Sequence, residues 1–258
     1  SVLKGLAGSA VVGSGLAASS LTWAQQRKVL VIASGQDIPN FDPHVATGYS
    51  ASMLLRNTLY ALVRVEGNPV KVLPHLAASW TIAPNGMEYT FKLDPAARFH
   101  DGSPVDAAAV VYSLQRTLRL AKGNAWMITG IVDPAGLQAV DAGTVKVKLI
   151  KPFAALLQVL PWQFIVNQKL VEVNKGSDDG QDYLRKTIAG SGHFMVKRAE
   201  PGNLYELERV AKPWKAGGNL DGAIWKIVRE TASQRLMVAR GEAHIAVDLT
   251  SEDIDALK

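Results

Sequence analysis

The 258-residue sequence has no cysteine. That excludes a disulfide framework, thiolate metal sites and a cysteine nucleophile. It leaves the compartment open. Runs of Lys and Arg interleaved with aromatics are also missing. The formal net charge is +5, but Lys146, Lys148, Lys151, Lys169 and Lys175 are scattered along the chain. A solvated basic surface is the reading, and no nucleic-acid partner is expected. The histidines are His44, His75, His100, His193 and His244. None shows His-Glu-x-x-His spacing, and no two fall three or four apart on a predicted helix, so neither a metal nor another cofactor is expected. Each is expected at a turn or strand edge. There is no Gly-x-Ser-x-Gly elbow for a serine hydrolase. Gly190-Ser191-Gly192 precedes a strand and lacks a following Gly-Lys-Ser/Thr, which disfavours a phosphate loop. No internal repeat is found.

What is present is an apolar fraction of 48% with 20% charged residues. That composition builds a packed core, in one large domain or two small ones. Residues 1–24, "SVLKGLAGSAVVGSGLAASSLTWA", read as an export signal clipped at its start, with small residues before a cleavage point after Ala24. Its Gly and Ser content makes it a poor permanent membrane helix.

Residues 27–34 form an apolar run of strand length, suited to burial on both faces. Residues 50–65 carry Met53, Leu54, Leu55, Leu59 and Leu62 at helical spacing. "MEYTFKL" (87–93) and "TVKVKL" (144–149) alternate as half-buried strands, and 153–160 reads as a short helix opened by Pro152. Two alternating runs flank Glu200-Pro201-Gly202-Asn203, which predicts a hairpin. A strand over 223–230 leads into Thr231-Ala232-Ser233-Gln234, a capping-box pattern, for a helix ending near Gly241. "HIAVDL" (244–249) reads as a strand, and Thr250 or Ser251 caps a further helix. Helices and strands alternate irregularly, with antiparallel hairpins, which indicates an α/β protein with mixed sheets. The apolar strand followed by only two turns of helix suggests that the fold continues past Lys258.

"FHDGSPVDAAAVVYSLQR" (99–116) tests the chemistry. His100 and Asp101 invite an acid/base reading. Neighbours in a tight turn tend to point apart, however, and no third orienting group is identifiable. Asp101 can instead accept from its own backbone in an Asx turn, with Gly102 permissive and Pro104 setting the approach to a helix capped by Asp106. Val110, Val111, Leu114 and Leu118 then line that helix. Scaffold is the preferred reading.

The same stretch resembles the signature of the family 5 extracellular solute-binding proteins, the peptide-, dipeptide- and nickel-binding components of bacterial ABC importers. "NFDPHVATGYSAS", "LVRVEGNPVKVLPHLAASWTIAPNGMEYTFKL", "GSGHFMV" and "GEAHIAVDL" resemble further family blocks in the same order, over essentially all of 28–258. Ala109 departs from the family's acid after the helix cap, and His193 from its usual Pro.

The resemblance implies a class II periplasmic-binding-protein-like fold, two lobes closing on ligand by a hinge. Residues 28–66 and 188–248 would form the hinge-side subdomain of lobe I, and 67–187 an inserted subdomain. Residues 249–258 would begin lobe II, which is expected beyond Lys258 with the groups that usually grip ligand termini. The resemblance also implies a periplasmic, non-enzymatic, monomeric binder of a peptide or similar solute that serves membrane permease subunits. "SVLK" resembles the end of a twin-arginine export motif. Carried over residue by residue, the ligand-binding candidates are Thr47, Gly48 and Tyr49, whose backbone could pair with an extended ligand. Trp126 and Trp162 are candidates for an aromatic wall. An opine, oligosaccharide or nickel-complex binder, or a receptor or chaperone on the same fold, are the alternatives.

Overall fold

The computed structural model describes residues 27–258, and the predicted export signal at 1–24 lies outside the described residues. Along the chain run β1 (Val29–Ser34), α1 (Tyr49–Thr58), β2 (Val63–Glu66), β3 (Lys71–Pro74), β4 (Ala77–Ile82), β5 (Glu88–Leu93), α2 (Ala107–Leu120), β6 (Val132–Asp141) and β7 (Thr144–Leu149). There follow α3 (Leu156–Val159), α4 (Gln168–Val173), α5 (Gln181–Lys186), β8 (Phe194–Glu200), β9 (Leu204–Arg209), β10 (Gly222–Ile227), α6 (Thr231–Ala239), β11 (Ile245–Ala246) and α7 (Ser251–Asp255). The class is the mixed α/β expected.

One sheet has the order β11-β1-β10-β9-β8. The apolar run of β1 lies parallel to β10 on one side and to β11 on the other. β9 returns antiparallel to β10 and forms the expected hairpin with β8. Its turn closes where the Asn203 N–H donates to the Glu200 carbonyl at 2.9 Å, with Gly202 at φ 77° in the left-handed region that glycine tolerates. The strand expected over 244–249 is only two residues long. Val247 still donates to the Ala33 carbonyl at 3.0 Å, but the Asp248 N–H turns to a side chain, Gln234 Oε1, at 3.4 Å.

The other large sheet is antiparallel, with order β4-β5-β7-β6. Its buried face carries Tyr89, Phe91 and Leu93 from β5 and Val145, Val147 and Leu149 from β7, the period-two pattern of a sheet with one covered face. Val110 and Leu114 of α2 belong to the same core. Asp106 caps α2 by accepting the Ala109 N–H at 2.9 Å. β6 has no sequence signature because Pro134 and Gly136 interrupt it and its register slips between Val132 and Leu137.

The helix read over 50–65 ends at Thr58. Leu59–Val63 is buried chain that runs into β2, which pairs with β3. A continuous apolar run fits a buried extended segment as well as a helix face. The capping box expected at Thr231 is also displaced. Glu230 holds the N-cap position without a side-chain bond, which puts Gln234 one residue too far along to reach back. Thr250 does form a reciprocal capping box with Asp253.

The histidines sit at turns or strand edges, as expected. What the sequence does not show is that His44 is 1% exposed and belongs to a buried ionic cluster. Arg116 on α2 donates from Nη1 and Nη2 to the two carboxylate oxygens of Asp42 at 2.8 and 2.7 Å. Its Nη1 also donates to His44 Nδ1 at 2.8 Å, and its Nε to the Asp179 carbonyl at 2.9 Å. With Nδ1 accepting, the ring proton lies on Nε2, which donates to the Phe164 carbonyl at 3.0 Å. Both charged side chains are fully buried. Replacing Arg116 by Met strands the Asp42 carboxylate in the core. The expected loss is about 3–5 kcal/mol of stability, read from urea unfolding, and an unchanged midpoint would contradict the role.

His44 must stay neutral. Burial pushes its pKa down to about 4; the nearby Asp42 carboxylate opposes the shift and Arg116 adds to it. The unfolded chain then takes up this proton near its ordinary value while the folded chain refuses it until about 4. Stability is therefore full above the unfolded value and is lost as pH falls toward 4, on the order of 3 kcal/mol from this group. Thermal unfolding from pH 7 to pH 4 should show that decline, and His44→Gln, which cannot titrate, should flatten it.

Candidate functional site

The parallel strands β1, β10 and β11 point their carboxyl ends at one edge of the first sheet. In open α/β sheets that edge is where ligands bind. Here it is stitched by side chains. Asp248, just past β11, accepts the Gly35 N–H at 2.6 Å and the Ser34 hydroxyl at 3.2 Å. Gln234 on α6 is fully buried. It donates to the Val228 carbonyl at 2.7 Å and accepts the Asp248 N–H at 3.4 Å. The next layer is Gln36, whose Oε1 accepts the Ser50 N–H at 3.2 Å in the first turn of α1, while the Ser34 and Ser50 hydroxyls lie 3.1 Å apart.

Thr47, Gly48 and Tyr49 stand on this base, at the amino end of α1, and all three are exposed, Tyr49 at 57%. Gly48 is the N-cap residue, at φ 106°, a conformation that L side chains rarely adopt. The loop's root is fixed by the Asp42–His44–Arg116 cluster three residues earlier. The 3₁₀ turn Gly123–Met127 presses on that same root: a Cβ at Gly123 would come within 2.9 Å of the His44 carbonyl oxygen. That turn carries Trp126, which is 71% exposed. Plain core packing does not account for an indole held so far out.

Trp162 is placed elsewhere. It is half-buried, with the Arg56 guanidinium 4.0 Å from its ring centroid, and Arg56 is in the last turn of α1. Seven residues of helix, about 10 Å, separate Arg56 from Tyr49. The structure thus ties Thr47–Tyr49 and the Trp126 turn to one root and leaves Trp162 at the opposite end of α1.

His100 and Asp101 are scaffold. The His100 ring bonds the Gly192 carbonyl at 3.1 Å, and its backbone N–H donates to the Gly190 carbonyl at 2.8 Å. Burial holds the His100 ring below its ordinary pKa. Asp101 accepts the Ser103 N–H at 2.9 Å in an Asx turn and the Asn167 amide at 2.8 Å. Burial pushes its carboxyl up, but the bonds from Ser103 and Asn167 outweigh that and hold it below the usual range. Among the described residues no group of three His, Asp or Glu side chains could hold a metal, and no helix is long and apolar enough to cross a membrane.

Sequence reasoning missed Gln36, Gln234 and Asp248, which support the rim. Their partners lie too far along the chain for any spacing rule. It also missed the Arg116 cluster, although Arg116 falls on the helix face shared by Tyr112, Ser113 and Thr117, all buried.

Residues 71–258 match the family model described as bacterial extracellular solute-binding proteins, family 5 Middle. The chain is 32% identical over 243 residues to the probable D,D-dipeptide-binding periplasmic protein DdpA of Escherichia coli, covering 91% of this chain and 46% of that protein. It is 28% identical over 256 residues to the glutathione-binding protein GsiB of Pectobacterium atrosepticum, covering 96% of this chain and 48% of that protein. The fold matches the Helicobacter pylori ABC transporter-associated periplasmic binding protein DppA, solved with the peptide STSA, at a TM-score of 0.80 and 22% identity, over 90% of this chain and 49% of that one. The chain spans about half the length of the curated relatives it matches. These relatives are binding proteins, not enzymes, and the chain belongs to the family 5 bacterial extracellular solute-binding proteins.

Proposed function

We propose that the chain supplies the first lobe of a periplasmic binding protein that captures a peptide or similar small solute between two lobes and hands it to the permease of an ABC importer. The observation that carries this reading is the exposed rim of Thr47, Gly48, Tyr49 and Trp126 on a base of locked side chains, in a chain of this family. The backbone N–H groups of Thr47–Tyr49, at the amino end of α1, donate to carbonyl oxygens of an extended ligand. The Trp126 indole covers it with a flat apolar face that accepts varied side chains. Binding involves no covalent step, only hinge closure. Residues 28–66 with 188–248 serve as the hinge-side part and 67–187 as the insert. Export, by the twin-arginine route, delivers a monomer to the periplasm.

The test is calorimetric titration of the full-length protein with D,D- and L,L-dipeptides, glutathione, a longer peptide, an opine and a nickel complex. A peptide-class ligand should bind saturably. Trp126→Ala should weaken it by about tenfold while leaving the thermal midpoint nearly unchanged, because the residue is exposed. Opine or nickel binding alone would change the ligand class, and undiminished peptide affinity in Trp126→Ala would remove the indole from the site.

A further inference from the structure

The far end of α1 holds a second polar concavity. A pocket of about 280 Å³ lies between the last turn of α1 and the loop after β9, and its walls include Arg56, Arg209, His193, Tyr60 and the bare backbone of Gly217 and Gly218. None of its lining residues is acidic.

The two arginines are unspent in different ways. Arg209 is fixed: its Nε donates to the Leu220 carbonyl, its Nη1 to the Gly217 carbonyl at 2.9 Å, and the guanidinium lies 5.3 Å from the Phe194 ring centroid. Its Nη2 is buried and has no hydrogen-bond partner. A buried charged donor left without an acceptor is costly unless something supplies one. Arg56 is held by its stack on Trp162, and among the described residues it pairs with no carboxylate. The glycine loop makes the room. A Cβ at Gly218 would come within 3.0 Å of Arg209 Nη2, and one at Gly217 within 3.1 Å of His193 Nε2.

The His193 ring lies against the Tyr60 hydroxyl and bonds the Lys215 carbonyl at 2.8 Å. The Tyr60 and His75 rings meet at a tilt with centroids 3.9 Å apart. Arg56 also lines the adjoining hollow, beside Arg64, whose charge is met by Glu66, and Asp221 lines a separate hollow on the other side of Arg209. The carboxyl end of α1 contributes only about half a negative charge, less than either guanidinium carries.

We infer that this pocket is a binding site for a compact oxyanion, a carboxylate or phosphate group, gripped between Arg56 and the free Nη2 of Arg209. It is distinct from the rim at the amino end of α1. A planar guanidinium suits either oxyanion, so two probes separate them.

The full-length protein, without peptide, is titrated calorimetrically with inorganic phosphate and with acetate at constant ionic strength, chloride serving as the control. Saturable binding of one or both, with Kd about 1 mM, is expected, and the tighter probe names the group. Arg56→Gln should weaken it about tenfold. Arg209→Gln should abolish it, and because that change also removes bonds to Leu220 and Gly217, far-ultraviolet circular dichroism must show the variant folded. Arg56→Gln carries the test if Arg209→Gln is unfolded. Heat indistinguishable from chloride, or equal affinity in wild type and Arg56→Gln, would overturn the assignment.

Discussion

Everything near the rim hangs on one guanidinium. Arg116 is buried with its counter-ion, so the cost of desolvating both charges must be met by complete hydrogen bonding. Three of its nitrogens do this at once, meeting both oxygens of Asp42, one nitrogen of His44 and the Asp179 carbonyl. The cluster also explains why α2 belongs to two cores. Val110 and Leu114 pack among the residues of the second sheet, while Tyr112 packs with the group around the first. Arg116 extends that second contact to the loop that rises to Thr47. A helix fixed on both sides gives that loop a stationary root.

The rim follows from this. Its exposed members are few, and what lies beneath them is immobilised by bonds between elements remote in sequence. Such preorganisation lowers the ordering cost of binding, because the groups that meet a ligand are already placed. The two ends of α1 offer different chemistry on one short rod. The amino end presents backbone and an aromatic neighbour, and the carboxyl end presents guanidinium groups.

Elements whose signal is local were legible in the sequence. β5 and β7 follow the period of two, the β8–β9 hairpin follows its Pro-Gly turn, and α2 follows Asp106. Thr47–Tyr49 and Trp126, to which family resemblance alone pointed, lie at the surface. Illegible features depend on distant partners. The end of α1 at Thr58 is set by the pairing of β2 with β3, not by its own leucines. β6 is held by β7 despite Pro134 and Gly136. His44 is the turn residue the sequence suggested, but nothing nearby reveals that Arg116, 72 positions later, would come to meet it. Asp248 and Gly35 are 213 residues apart.

Gln234 shows what such stitching demands of a single position. It must give a hydrogen bond to one strand end and receive one from another, with no solvent to substitute for either. A glutamate could receive but not give, and would place a charge beside Asp248. A leucine would fill the space and leave the Val228 carbonyl and the Asp248 N–H empty-handed. A shorter amide would not span the gap. Ala232 and Ser233, its neighbours on α6, are exposed and carry no such double duty. The alphabet open to a mutating gene at position 234 is therefore close to one letter, although the residue touches no ligand.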